Sequence, residues 1–423
     1  MKRGVVAHLL MVESWVGSMS RLLPRAIREG GHEFTFLTRD LHHYLRAAPE
    51  GAAHPLLGAR NVITADTNDT DTLLPEIERL HAVLHFDGVI TSCDYYLPTA
   101  AEIAGHLGLP GSSPEAVANA CRKDATRRVL ADAGVPGPRF AVHEEWADIA
   151  RAAREIGYPL VVKPVDLCAG MYVRRVDDEE QLAATVRALA DFPVNARGQR
   201  RQPGVLIEEL LDGPEVSVET VSHAGAVHVV GVTDKSIGGA PAFIETGHMF
   251  PAALPAADAE AAEQTALASL KALGLVDSVV AHTEIKLTSA GPRVVEVNPR
   301  PAGNRITELV RHVTGVDLAA AFVEVSLGRE PDLRHSDTGL RSAAIGFLVP
   351  QTSGTLESLD GGELRDAPGV LEVQLAEPGK QVEAAGSNNE YLGHVMAGDA
   401  EGLGARDHVE VLLGELRSGL VIR

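Results

Sequence analysis

Two segments carry the side chains best suited to chemistry: His282-Thr283-Glu284-Ile285-Lys286 and Val294-Val295-Glu296-Val297-Asn298-Pro299-Arg300. In the second, Glu296 and Asn298 alternate with Val295 and Val297, so on an extended strand the polar pair shares one face and the valines take the other. Ser289-Ala290-Gly291-Pro292 predicts a hairpin turn that brings Glu284 opposite Glu296. Two carboxylates beside an amide oxygen suit Mg²⁺, a hard ion that takes few protein oxygens and shares the rest with phosphate and water. The plain alternative is a solvated hairpin face. Like charges set opposite each other would repel there without a cation, and Arg300 follows immediately.

Lysines suited to phosphate stand earlier in the chain. Lys123 lies in Cys121-Arg122-Lys123-Asp124, and Lys163 ends Val161-Val162-Lys163-Pro164. Each alone also reads as a solvated terminus. Lys163 is followed by the loop Asp166–Met171, where a point cation could meet phosphate oxygens. Neither GxxxxGK[ST] nor GxGxxG occurs, so a P-loop or a dinucleotide fold is not supported.

The elements that must position these residues follow from patterning. Up to about residue 110, short apolar runs (Val5–Met11, Glu33–Leu37, Gly88–Thr91) alternate with helical stretches (Ser20–Glu29, Thr99–Leu107), which predicts a parallel α/β unit. Its first loop, Val12–Ser18, belongs at the carboxyl edge of the sheet, where ligands bind. Ser112-Ser113-Pro114 predicts a helix from Glu115 to about Ala133, stopped by Gly134-Val135-Pro136. Tyr158–Pro164 and Tyr172–Val176 read as partner strands, Glu179–Leu189 as a helix, and the polar stretch 192–204, with Arg197, Arg200 and Arg201, as an exposed loop. Gly204–Glu209, Glu215–Ser222, Val227–Thr233, Ala281–Leu287 and Arg293–Val297 read as one antiparallel sheet, interrupted by a helix over Ala257–Leu273. After about residue 330 short strands (Ala343–Val349, Val370–Leu375, Asn389–Ala397) precede a last helix, Ala405–Leu416.

Taken in order, these features resemble the ATP-grasp superfamily over roughly Glu115–Val325. The series is a first lysine, a second lysine with its loop, Ile207-Glu208-Glu209-Leu210-Leu211-Asp212-Gly213-Pro214-Glu215, and then Glu…Glu-x-Asn-x-Arg. The resemblance implies that Lys123 and Lys163 contact ATP phosphates. It implies that Glu208, with the backbone of Glu209 and Leu211, meets the adenine edge, and that Glu215 takes the ribose hydroxyls. Glu284, Glu296 and Asn298 would hold one or two Mg²⁺, with Mn²⁺ able to substitute, and Arg300 would stabilise an acyl phosphate. One departure is the loop Asp166-Leu167-Cys168-Ala169-Gly170, poorer in glycine and serine than the family's usual phosphate cover.

Within the superfamily the sequence looks most like the L-amino acid (dipeptide) ligases. In those enzymes a Glu-x-x-His binds the substrate amino group, which implies Glu245 and His248 here, in Phe243-Ile244-Glu245-Thr246-Gly247-His248. An ordinary polar loop is the alternative. Pro299-Arg300-Pro301-Ala302-Gly303-Asn304-Arg305 resembles their following loop, with Gly303 and Arg305 placed to receive a carboxylate and Asn304 where some members have a large aromatic. Leu392–Ala397 and the last helix resemble the family's C-terminal subdomain, whose expected role is packing or oligomerisation. Cys93-Asp94-Tyr95-Tyr96 lies at a strand end in the first domain, where it could touch substrate, and reads more simply as a satisfied loop.

The expected fold is thus α/β and α+β multidomain: a parallel α/β N-terminal domain (1–112), a linker helix with the first grasp lobe (113–202), a second lobe with the metal site (203–332) and a mostly β C-terminal subdomain (333–423). The expected activity is ATP-dependent joining of a carboxylate to an amine with ADP and phosphate released. A ligase for a small non-amino acid carboxylate and a silent nucleotide-binding regulator are the rivals. At 423 residues, 45% hydrophobic and 23% charged, the chain is long enough for several cores. The 38 Lys and Arg against 58 Asp and Glu give a formal charge of −20, which disfavours nucleic acid as a partner. Cys93, Cys121 and Cys168 form no CxxC pair and read as cytoplasmic thiols. The first apolar run is too short to span a membrane, and the expected partners are small carboxylates and amines, with a homodimer compatible.

Overall fold

Every residue of β1 (His8–Val12) is buried, as a strand sandwiched between helix layers must be. The structure, a computed structural model, describes residues 6–15, 19–45 and 54–423. The rest of the expected loop 12–18, from Val16 to Ser18, and Val5 of the first run fall outside them. With α1 (Met19–Glu29), β2 (Glu33–Thr38), α2 (Leu41–Leu45), β3 (Asn61–Thr64), α3 (Thr70–Leu84), β4 (Gly88–Ile90) and α4 (Leu97–Leu107), β1 forms a parallel sheet in the order β3-β2-β1-β4. The order reverses at β1, so a crevice opens between the carboxyl ends of β1 and β4. Trp15 and Asp94 lie at those ends.

The helix expected over 115–133 is two helices, α5 (Pro114–Cys121) and α6 (Lys123–Asp132), broken at an extended Arg122 (φ −112, ψ 112). Thr126 causes part of the break: its hydroxyl bonds the carbonyls of Asn119 and Ala120, while the Lys123 amide donates to Val165 O at 2.9 Å. Lys123 consequently opens α6 instead of lying mid-helix.

The first lobe comprises β5 (Phe140–His143), α7 (Trp146–Ile156), β6 (Leu160–Pro164), β7 (Arg174–Val176), α8 (Glu179–Ala190) and β8 (Val205–Glu209), with antiparallel order β5-β8-β6-β7. This corrects the expectation that 204–209 joins the later strands. Buried Val205 and Ile207 pack into this lobe's own core, and no local pattern distinguishes which sheet such a strand enters.

The second lobe supplies β9 (Glu215–His223), β10 (Ala226–Gly238), β11 (Ile244–Phe250), α9 (Ala256–Leu273), β12 (Val279–Thr288), β13 (Gly291–Asn298), α10 (Ile306–Thr314) and α11 (Leu318–Ser326). After it come β14 (Ser342–Leu348), β15 (Gly354–Ser358), β16 (Val370–Leu375), β17 (Gln381–Val382), β18 (Gly393–Asp399), α12 (Ala405–Gly419) and β19 (Val421–Ile422). One antiparallel sheet, β13-β12-β9-β10-β11-β14-β18-β16, runs through both segments, and β17-β15-β19 form a small second sheet. The polar segment 244–250 is therefore a central strand, because its neighbours β10 and β14 take both of its edges. Helix α12 covers β14 so closely that a Cβ on Gly346 would lie 2.4 Å from Leu413 Cδ1. Among the described residues no helix is long and apolar enough to cross a membrane.

Candidate active site

A cavity of about 460 Å³ opens where all these parts meet, a volume ordinary for small-molecule sites. The N-terminal crevice contributes Trp15, Ser92 and Asp94; α6 contributes Lys123 and Arg127; the first lobe contributes Lys163, Leu167–Gly170 and Glu208; the second contributes Glu215, Glu245, Glu284, Glu296, Asn298 and Arg300. Asn388 and Asn389 also line it, so the C-terminal segment, expected to serve packing or oligomerisation, reaches the site.

The hairpin β12–β13 sets Glu284 directly opposite Glu296 and His282 opposite Asn298. Each carboxylate already faces a cation: Lys235 Nζ is 2.5 Å from Glu284 and Lys123 Nζ is 2.9 Å from Glu296. The fixed ammoniums thus occupy the role of a positive charge between like carboxylates. Among the described residues no three His, Cys, Asp or Glu are arranged to hold a metal by themselves. Two carboxylates with the Asn298 amide fit Mg²⁺ that completes its shell with phosphate and water oxygens.

Lys235 is the hub of the second lobe. Only 4% exposed on β10, it also lies 3.3 Å from Glu215 and 3.2 Å from Glu245. Burial works against its charge, but Glu245, Glu284 and Glu215 outweigh burial and hold it well above the usual lysine range. Behind Glu284, His282 bonds Glu219 at 3.0 and 3.1 Å and Glu284 at 3.2 Å. Burial would lower that imidazole; Glu219 and Glu284 instead push it up to about 9.

Lys163 and Glu208 are diagonal neighbours across β6 and β8, with Nζ 2.7 Å from the carboxylate, and Arg127 bonds the same carboxylate. Despite burial, Arg127 and Lys163 bring Glu208 down to about 2. Its side chain is therefore engaged in organising cations, which leaves the backbone of the 208–211 strip for a ligand edge. Glu209 pairs with Arg139 at 2.7 Å, and Leu211 lines the cavity. Glu215 lies 3.4 Å from Lys286 as well as near Lys235. Gly213 makes the turn between them: at φ +136, a Cβ there would lie 2.1 Å from Leu287 O. The loop 166–170 curls inward with Ala169 and Gly170 at φ 55 and 67, and Leu167 O accepts from Lys123 Nζ at 2.8 Å.

Glu245 faces the cavity and accepts from Asn304 Nδ2, while His248 Nε2 lies 3.1 Å away. Burial raises its affinity for a proton, but Lys235 and His248 prevail and keep it ionised. Tyr391 donates to the Glu245 carbonyl at 2.8 Å, and the Glu245 amide donates to Asn388 at 2.9 Å. Two expectations are corrected here. His248 is 1% exposed with its ring edge on Phe347 and stands behind Glu245, so it orients that carboxylate and does not line the cavity. Arg305, at φ 67 before α10, turns away to Glu308 at 2.9 Å and to Glu372 at 2.8 Å; its fork is already filled by carboxylates. Gly303 does line the cavity.

Arg300 is gripped by Asp94 through Nε at 2.8 Å and Nη2 at 2.7 Å, while Nη1 donates to Pro301 O at 2.9 Å. Asp94 also accepts from the Trp15 indole at 2.5 Å. The segment Cys93–Tyr96, read more simply as a satisfied loop than as a substrate contact, thus holds the candidate catalytic arginine through Asp94. Sequence reasoning missed Lys235, Arg127 and Trp15, and it named Asp94 without its arginine partner. Lys235 left a signal, a charged residue at an inward position of an alternating strand, but the others depend on contacts between distant segments.

Three family models match this chain: an ATP-grasp domain over residues 156–308, an ATP-grasp N-terminal domain over 25–111, and an L-amino acid ligase C-terminal domain 2 over 346–421. An uncharacterized protein of Sinorhizobium fredii, y4rH, is 31% identical over 376 residues, covering 88% of this chain and 76% of the relative. Carnosine synthase 1 of Mus musculus is 29% identical; the match covers 78% of this chain but spans only 43% of that longer protein. Alanine–anticapsin ligase of Bacillus subtilis is 27% identical, with 62% of this chain and 59% of the relative covered. Among solved structures, an L-amino acid ligase from Bacillus licheniformis superposes with a TM-score of 0.80 at 26% identity, covering 100% of this chain and 99% of that one. Order of lysines, grasp lobes, facing carboxylates and the matched C-terminal domain agree, and the chain belongs to the ATP-grasp superfamily as a relative of its L-amino acid ligases.

Proposed function

We propose that the protein is an ATP-dependent carboxylate–amine ligase that takes an amino acid as donor and joins it to an amine, most simply a second amino acid. The observation that supports this reading is Glu245: an ionised carboxylate, backed by His248 and Asn304, in the same cavity as the facing carboxylates and Arg300. Such a carboxylate suits a substrate ammonium.

In the mechanism that follows, Lys123 and Lys163 meet the ATP phosphates, the 208–211 backbone meets the adenine and Glu215 the ribose. Glu284, Glu296 and Asn298 would hold Mg²⁺, which would supply charge neutralisation for phosphoryl transfer. The donor carboxylate oxygen attacks the γ-phosphorus and ADP leaves, giving an acyl phosphate. The amine nitrogen then attacks the acyl carbon, phosphate leaves, and a proton is lost from nitrogen. Arg300, with N–H groups beyond those spent on Asp94 and Pro301, faces the charge that builds on the tetrahedral oxygen.

Incubating the protein with ATP, Mg²⁺ and a matrix of amino acid pairs, with mass detection, tests this. The expected result is a dipeptide formed in step with ADP and phosphate. AMP with pyrophosphate as the stoichiometric products would overturn it.

A further inference from the structure

The loop between α8 and β8 was expected to be exposed, yet its Arg197 is 6% exposed and lies in the N-terminal domain. The guanidinium sits 5.7 Å from the Trp15 ring centroid and 5.3 Å from that of Tyr44, and it donates to Ser14 O. The loop is built to present it. The Asn195 side chain receives the amides of Arg197 (2.9 Å) and Gln199 (3.1 Å), and the Arg197 carbonyl accepts from Arg39 (2.8 Å) and Asn68 (3.0 Å).

Arg197 lines no part of the cavity, but its partner does. Trp15 stands between Arg197 on one side and Asp94 on the other, and Asp94 grips Arg300. A cation over an aromatic face is held by the ring's electron density, more strongly where water is excluded, and the Trp15 ring is held further by Tyr95, with centroids 5.6 Å apart. We infer that Arg197 is a positioning residue: docking of the first lobe's loop fixes Trp15, and through Asp94 sets the orientation of Arg300. The inference rests on the assignment of Arg300 in the proposed ligation. Misplacing a reacting group by about 1 Å can lower turnover about a hundredfold.

The test uses the full chain and a double-mutant cycle. Arg300→Ala comes first, because normal turnover in that variant would remove the ligase assignment itself and not this relay. With that loss seen, Arg197→Ala is expected to lower kcat about tenfold with the KM for ATP changed less than about twofold, and Arg197→Lys to recover part of it. Trp15→Phe keeps an aromatic face, though a smaller one, and deletes the N–H to Asp94, and adding Arg197→Ala to it should cost nothing further. Additive losses, or normal kcat in Arg197→Ala, would overturn the relay; should Arg197→Ala not fold, Arg197→Lys carries the same comparison. The chain has two tryptophans, so Trp146→Phe, at an exposed position on α7, isolates Trp15 emission. That emission should change when Arg197 becomes Lys; identical spectra count against the stack and overturn the inference.

Discussion

Glu245 is the residue on which the substrate class turns. Glu245→Gln keeps the shape and the Asn304 contact but deletes the charge. It should raise the KM for an amino acid donor by about thirtyfold or more, the usual cost of unpairing a desolvated charge being about 2–5 kcal/mol, with ATP affected less. Equal effects on amino acids and their des-amino analogues would move the reading to a small-carboxylate ligase. His282 gives a pH prediction. Its folded value of about 9 exceeds the ordinary 6.5, so the folded state holds a proton that the unfolded state releases. The resulting stability is complete below about pH 6.5 and is lost as pH rises toward 9, by at most about 3 kcal/mol. Urea midpoints should fall across that window in the wild type and fall less in His282→Gln; parallel profiles would show an imidazole that is neutral throughout. Residue types and order made Lys123, Lys163, Glu284, Glu296 and Arg300 legible in the sequence. Arg305 was misread because a guanidinium next to a cavity residue has the same local signature whether it points inward or, as here, to Glu372.

Elements that carry a two- or three-residue stop signal were also legible, as with α9 or the turn before β13. The break at Arg122 was not, because no glycine or proline marks it; it exists because Val165, some forty residues on, supplies a carbonyl to the Lys123 amide. Likewise β11 was not read as a strand, since Glu245 and His248 occupy positions that only its two flanking strands make interior. Gly213 shows the opposite case, a local residue whose necessity is written in φ. Gly213→Ala places a Cβ against Leu287 O at a left-handed angle, and should cost at least about 2 kcal/mol from strain alone. It should also raise the KM for ATP, because the 208–215 strip moves with the turn. A melting temperature and KM equal to wild type would show the turn to be slack.

At the scale of the whole molecule, the sheet that begins at the metal hairpin ends in the C-terminal segment, and the cavity draws side chains from every part of the chain. The pairing found inside it has an electrostatic consequence for ligand entry. Lys123, Lys163 and Arg300, which line the cavity, and Lys235, buried outside its lining, are each matched to a fixed carboxylate, Glu296, Glu208, Asp94 and Glu284, so they do not gather loose anions from solution. A nucleotide arriving there exchanges one internal partnership for another and liberates few condensed ions, unlike a polyanion settling on an open basic surface. Bulk salt then has little to compete with, and buried pairs are weakly screened. The dissociation constant for the Mg²⁺ nucleotide should therefore shift less than about threefold between roughly 50 and 200 mM KCl, measured by calorimetry. A tenfold weakening over that range would mean that the lysines stand open to solvent and that their carboxylate partnerships do not persist in solution.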